Sequence, residues 1–100
     1  MRDAVAQYYA AFKAAGIKPD VTQATPWDAA SIVVAALRKI GPNATAAQIR
    51  SYIANLQGWT GVTGTYDFKA IPQRGVNWKS VVMARWDPAR DSWVSAETSR

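Results

Sequence analysis

The sequence contains no cysteine and no histidine, and each absence removes a class of chemistry. Without cysteine there is no disulfide framework and no thiolate nucleophile. Without histidine the chain lacks the commonest general base and the commonest metal ligand, and no serine has a histidine partner. No carboxylates have the spacing of a cation-binding loop or of metal ligands on a predicted helix. We therefore expect no enzymatic activity, no metal and no cofactor.

Long apolar runs are also missing. No segment approaches the roughly 20 apolar residues that a membrane span requires. Residues 1–15 are amphipathic and lack the basic segment and continuous apolar core of a signal peptide. Basic residues outnumber acidic ones by 12 to 7, but they are spread along the chain, whereas a nucleic-acid site usually clusters them. We expect no membrane insertion, no nucleic-acid binding and no export signal in this chain.

What the chain does have is the composition of one globular domain. It is 100 residues long, and 49% of its residues are hydrophobic. Five tryptophans and four tyrosines indicate packed surfaces, because aromatic side chains carry large buried areas. No repeat or linker divides the chain, so residues 1–100 are treated as a single unit.

Apolar periodicity predicts three helices. The first covers residues 3–15 and ends at Gly16. The third follows the capping box formed by Thr45 and Gln48, covers residues 46–56 and ends at Gly58.

The second helix is predicted to begin at Thr25. Thr25 would be the N-cap, Pro26 the first helical residue and Asp28 the third, and the helix would run to Ile40. Asp28 is therefore interpreted as a residue of the helix start. Thr22–Thr25 is expected to be a loop.

After Gly58 the apolar period changes to two, which predicts strands. Residues 62–68 form the first strand, with Asp67 either ending it or binding a backbone N–H of the next loop. Residues 69–79 are a loop. Residues 80–86 and 93–96 then form a terminal hairpin.

The tryptophans admit two interpretations. Trp27 lies beside the predicted start of a helix, where ligand clefts often occur, but it can equally pack against the core. Trp59, at the predicted end of a helix, is a weaker candidate for lining a ligand cleft. Trp86 and Trp93 flank the terminal turn and can stack across the hairpin.

The order of these elements resembles a known family. Trp27-Asp28-Ala29-Ala30 opens a long helix, and a later helix leads into Gly61-Val62-Thr63-Gly64-Thr65-Tyr66-Asp67-Phe68. The apolar segment 81–86 and its hairpin follow. This series is similar to the C-terminal end of solute-binding proteins of bacterial ABC transporters, of the type I, branched-chain amino acid kind. The resemblance covers essentially the whole chain.

The resemblance implies an α/β fold of two lobes, of which this chain would be a C-terminal fragment with α+β character in isolation. Residues 3–68 would belong mostly to the first lobe, 69–79 to a crossing between lobes and 80–96 to the terminal hairpin. The ligand cleft would be faced by Thr22, Gln23, Thr25 and Trp27. The hinge or crossing would contain Asp67, Gln73 and Arg74.

The function implied is that of part of a transport protein. The full-length parent would be periplasmic, would bind an amino acid or an aromatic or aliphatic carboxylate, and would deliver it to an ABC permease. This chain would contribute lobe, hinge and one wall of the cleft. Two alternatives stay open: a small stand-alone binding or interaction module, and a sensory domain. Because helices that cover a sheet would lack that sheet here, we expect the isolated chain to form a homodimer.

Overall fold

The computed structural model describes residues 1–97. Within them the chain has α+β architecture, with three helices followed by two separate two-stranded antiparallel sheets and one short 3-10 helix. The elements are α1 (Arg2–Ala14), α2 (Val21–Ile40), α3 (Ala46–Ala54), β1 (Gln57–Thr60), β2 (Thr65–Asp67), the 3-10 helix Trp78–Ser80, β3 (Ala84–Asp87) and β4 (Ser92–Ser95).

Helix α1 ends as its sequence predicts. Gly16 has φ 70°, and its N–H donates to the carbonyl of Lys13 at 3.1 Å. The N–H of Ile17 donates to the carbonyl of Phe12 at 3.0 Å. These two bonds form a Schellman motif, which requires a residue that tolerates positive φ at the glycine position.

Helix α2 starts earlier than the sequence analysis predicts, and that prediction is wrong. Asp20 is the N-cap, and it forms a capping box with Gln23. The segment Thr22–Thr25 is therefore helical rather than a loop, and Pro26 lies inside the helix. The prediction gave weight to the Thr-Pro pair, whereas the Asp-x-x-Gln pattern satisfies more of the free N–H groups at the helix start.

Helix α3 confirms the other capping box. The hydroxyl of Thr45 accepts from the N–H of Gln48 at 3.2 Å, and the Gln48 side chain accepts from the N–H of Thr45 at 2.8 Å. The helix is shorter than predicted and ends at Ala54, so Gly58 does not terminate it. Gly58 has φ 70° and lies at a bulge in β1, where the register shifts between Gln57 and Trp59.

The predicted strand 62–68 is present only in part. β2 covers three residues and pairs with β1, which was not predicted. Gly61–Gly64 forms the turn between them, closed by the N–H of Gly61 donating to the carbonyl of Gly64 at 2.9 Å. The alternation of apolar residues continued through this turn and so extended the predicted strand beyond its real start.

The terminal hairpin is confirmed, with a shorter first strand. β3 pairs with β4, and Trp86 stands opposite Trp93 with ring centroids 5.5 Å apart in an edge-to-face arrangement. The predicted strand 80–86 is interrupted because the 3-10 helix occupies its first residue and Val81–Met83 pairs with no strand along its length.

The buried core is small for the length of the chain. Among the side chains that the structure describes, five hydrophobic ones are buried: Tyr8, Ala24, Ile32, Ala36 and Tyr66. The accessible surface is 7998 Å², against about 5600 Å² for a compact monomer of this mass. The radius of gyration is 16.0 Å, against about 13 Å for a compact domain of 100 residues.

The start of α3 provides a direct test of the capping analysis. Replacing Thr45 with alanine removes the acceptor for the Gln48 N–H, and we expect the free energy of unfolding to fall by about 1 kcal/mol. Urea denaturation followed by circular dichroism measures the change. Thr45→Ser keeps the hydroxyl and should stay close to wild type; an equal loss in both variants would contradict the capping role.

Candidate functional site

The carboxylate of Asp28 is the most enclosed polar group of the described chain. Asp28 lies in the middle of α2, and only 1% of its surface is exposed. Its Oδ1 accepts from the N–H of Val62 at 2.7 Å. Its Oδ2 accepts from the N–H and the hydroxyl of Thr63 at 2.8 and 2.7 Å. The interpretation of Asp28 as a residue of the helix start is therefore wrong: it binds a loop more than thirty positions away.

The glycine turn is shaped to receive this carboxylate. A Cβ atom placed on Gly61 would lie 2.5 Å from the Cγ of Asp28, so no other residue fits there without displacement. A Cβ on Gly64 would meet the Ser80 side chain, and Gly64 also has φ 159°. Glycine is needed at Gly61 for close approach rather than for its backbone angles.

Tyr66 completes the cluster around Asp28. Its hydroxyl donates to Oδ2 of Asp28 at 3.2 Å and lies 2.6 Å from the hydroxyl of Thr63. Burial raises the pKa of the Tyr66 phenol, and the nearby Asp28 charge acts in the same direction, so the phenol stays protonated as a donor. The carboxylate is thus surrounded by donors, which suits a structural bond between α2 and the turn rather than proton transfer.

A cleft of about 550 Å³ opens on the outer side of this cluster. Its polar lining consists of Thr25, Thr63, Tyr66, Arg74, Asn77 and Ser80. Its apolar lining consists of Val76, Trp78 and Val81. The volume falls within the range of small-molecule sites, which is about 300–1,000 Å³.

All four predicted ligand-binding residues lie in the first half of α2, and of these Thr25 lines the cleft. Thr22 and Gln23 occupy the first turn of α2, where the Thr22 N–H donates to Asp20 and the Gln23 side chain accepts from the Asp20 N–H. Thr25 lines the cleft. Trp27 packs against α1, with ring centroids 5.4 Å from Tyr8 and 5.9 Å from Phe12, which is the packing arrangement considered for it.

The three predicted crossing residues take part in different features of the structure. Asp67 ends β2, and its Oδ1 accepts from the N–H groups of Lys69 and Ala70, so both interpretations offered for it hold. Gln73 has φ 71° and borders a different, apolar groove beside α3. Arg74 lines the same cleft as Thr25. The cleft therefore contains one of the predicted ligand-binding residues, Thr25, and one of the predicted crossing residues, Arg74.

Sequence analysis missed the contributions of Asn77 and Trp78 to the cleft and the role of Asp28. The signal for Asp28 was present in principle. Once Asp20 and Gln23 are recognised as the capping box, Asp28 becomes a charged residue inside a helix and needs a partner. The turn Gly61–Gly64, with its small residues and free N–H groups, is the kind of segment that provides one.

Similarity to known proteins does not assign this chain to a family. Comparison with protein-family models, curated proteins and solved structures finds no match to this chain. Within residues 1–97, no three acidic residues converge as a metal site. None of the helices in that range combines the length and the apolar character needed to cross a membrane.

The cluster predicts that Asp28 governs stability. In Asp28→Asn the new NH₂ group must face at least one of the backbone or hydroxyl donors, and each donor left unpaired costs about 1–3 kcal/mol. We expect the midpoint of urea denaturation to fall accordingly. Asp91→Asn is the matched control: Asp91 is exposed with φ 48°, a conformation that asparagine tolerates, so the change should stay within about 0.5 kcal/mol. Equal losses in the two variants would contradict the analysis.

Proposed function

We propose that this chain is the C-terminal part of an ABC-transporter solute-binding protein for amino acids or related small carboxylates. In this role it contributes part of a lobe, the crossing between lobes and one wall of the ligand cleft. The full-length parent acts in the periplasm and delivers its ligand to an ABC permease. The activity is binding, without catalysis.

The observation that carries the proposal is the contact between two motifs of the resemblance. The Trp27-Asp28-Ala29 motif of α2 and the Gly61–Phe68 motif are separated in sequence, yet Asp28 binds the N–H groups of Val62 and Thr63 directly. A contact of this kind explains why both motifs occur in one chain in this order. The two motifs on which the resemblance depends are thus parts of one packed unit, as the proposal expects of them.

The uncovered apolar surface supports the same proposal. Val33 and Val34 on α2 are 38% and 43% exposed, and Val81–Met83 are each at least 70% exposed. In a two-lobed protein the helices cover a parallel sheet, and the segment before β3 belongs to the second lobe. A parallel sheet and a second lobe would therefore cover the apolar side chains that are exposed to water in this chain.

A stand-alone binding module is the second candidate. One observation favours it: the cleft beside Asp28 brings together Arg74, neutral polar side chains and an apolar wall. A module of this kind would bind its ligand without further lobes.

A chimera tests the transport proposal. The C-terminal segment of a characterised amino-acid-binding protein of the type I family would be replaced by residues 1–100 of this chain. We expect the chimera to fold as a monomer and to bind its amino acid by calorimetry, since the proposal makes residues 1–100 the equivalent of the segment that they replace. A control chimera would carry the same segment from another family member. Binding by the control and aggregation of the test chimera would contradict the proposal.

The exposed side chains of Val82 and Met83, which do not line the cleft beside Asp28, predict self-association of the isolated chain. We expect light scattering at tens of micromolar to give the mass of a homodimer, because association buries apolar side chains. Val82→Lys should shift the equilibrium toward monomer, since Val82 is 77% exposed. Ala10→Lys, on an exposed position of α1, is the control. A monomeric wild-type chain would count against the homodimer.

A further inference from the structure

We propose that the cleft beside the Asp28 cluster is a binding site for a small carboxylate with an apolar or aromatic body, and that Arg74 binds the carboxylate. This inference goes beyond the proposed function, since its ligand class is argued from the lining of the cleft. It differs in location, because the cleft is formed within this chain rather than between two lobes.

The charge of the lining selects an anion. Arg74 is the charged residue of the cleft, and it forms no ion pair with any group of residues 1–97. Among the described residues, no carboxylate lines the cleft. Asp28 is buried behind Thr63 and Tyr66 and is already bound by donors. The carboxylate of Asp67, at the end of β2, accepts from the N–H groups of Lys69 and Ala70. A guanidinium offers two parallel N–H donors, which match the two oxygens of a carboxylate.

The neutral polar groups add donors of the same kind. Asn77 uses its Oδ1 to accept from the N–H of Lys79 at 2.9 Å, which leaves its NH₂ group as a donor. Thr25 and Ser80, which each carry a hydroxyl, also line the cleft. A carboxylate accepts only, so a cleft rich in donors and without an available acid favours it over an amine.

The apolar side of the cleft accounts for the rest of the ligand. Val76, Trp78 and Val81 line it, and Trp78 is 77% exposed. The indole therefore has ring surface on which an aromatic or aliphatic body can pack. A carboxylate alone would leave this wall in water, so an aryl carboxylate fits the lining better than acetate does.

The backbone that carries Arg74 is fixed by hydrogen bonds within its loop. The loop that carries it is closed at its ends by the N–H of Asp67, which donates to the carbonyl of Gly75 at 2.7 Å. Inside the loop, the N–H of Gly75 donates to the carbonyl of Ile71 and the N–H of Arg74 to that of Pro72, both at 2.9 Å. A backbone fixed in this way lowers the ordering cost of binding.

Titration of the purified chain with sodium benzoate tests the inference. Binding would be followed by tryptophan fluorescence and by chemical-shift changes in the two-dimensional NMR spectrum. We expect saturable binding, with the largest shift changes at Arg74, Asn77 and Trp78. Benzamide has the same shape without the charge and should bind at least about tenfold more weakly, because a charge-assisted hydrogen bond is lost.

Variants locate the site. Arg74→Gln should weaken benzoate binding by about tenfold or more while leaving the thermal midpoint unchanged, since the side chain is exposed. Arg74→Lys keeps the charge but loses the paired donors and should weaken it less. Arg38→Gln, on an exposed position of α2 outside the cleft, should bind like wild type.

Three results would overturn the inference: no saturable benzoate binding by the wild-type chain, equal binding of benzamide, or undiminished binding by Arg74→Gln. The transport proposal fails separately, through the chimera. A chimera that does not fold, together with an isolated chain that binds benzoate through Arg74, would leave a stand-alone binding module. A working chimera without benzoate binding would leave the transport proposal and remove this site.

Discussion

The buried carboxylate of Asp28 is the constraint on which the rest of the structure depends. An unpaired charge cannot remain in the interior, so α2 has to bring donors to it. The N–H groups of Val62 and Thr63 are those donors, and they are available because the turn leaves them outside any sheet. This one group therefore fixes the position of the β1–β2 hairpin against the longest helix, and a turn without a Cβ at Gly61 is needed for the approach.

The placement of the cleft follows from the same contact. Thr63 and Tyr66 bind Asp28 on one side and line the cleft on the other. The loop that carries Arg74 continues directly from β2, and its closure between Asp67 and Gly75 keeps that residue beside the cluster. A structural bond and a candidate binding surface thus share the same side chains, and the rigidity of the first contributes to the preorganisation of the second.

The two halves of the chain differ in how much apolar surface they bury. Among the side chains that the structure describes, the buried hydrophobic ones belong to α1, α2 and β2, whereas the terminal hairpin is held together by its strand pairing and by Trp86 and Trp93. A two-stranded hairpin is marginal in water without further packing. The terminal hairpin therefore contributes little to the buried core of the described chain.

The sequence by itself determined the local features: the Gly16 helix end, the Thr45–Gln48 capping box, the terminal hairpin and the Trp86–Trp93 pair, because each depends on residues close together in the chain or on a regular period. Tertiary structure decided the rest. The start of α2 depended on two competing sets of capping residues, and the partner of Asp28 lies 34 and 35 positions away. Thr25 and Arg74 line the same cleft, whereas Trp27 packs against α1. These positions depend on how α2 packs against the turn and against α1, and no local sequence pattern encodes that packing.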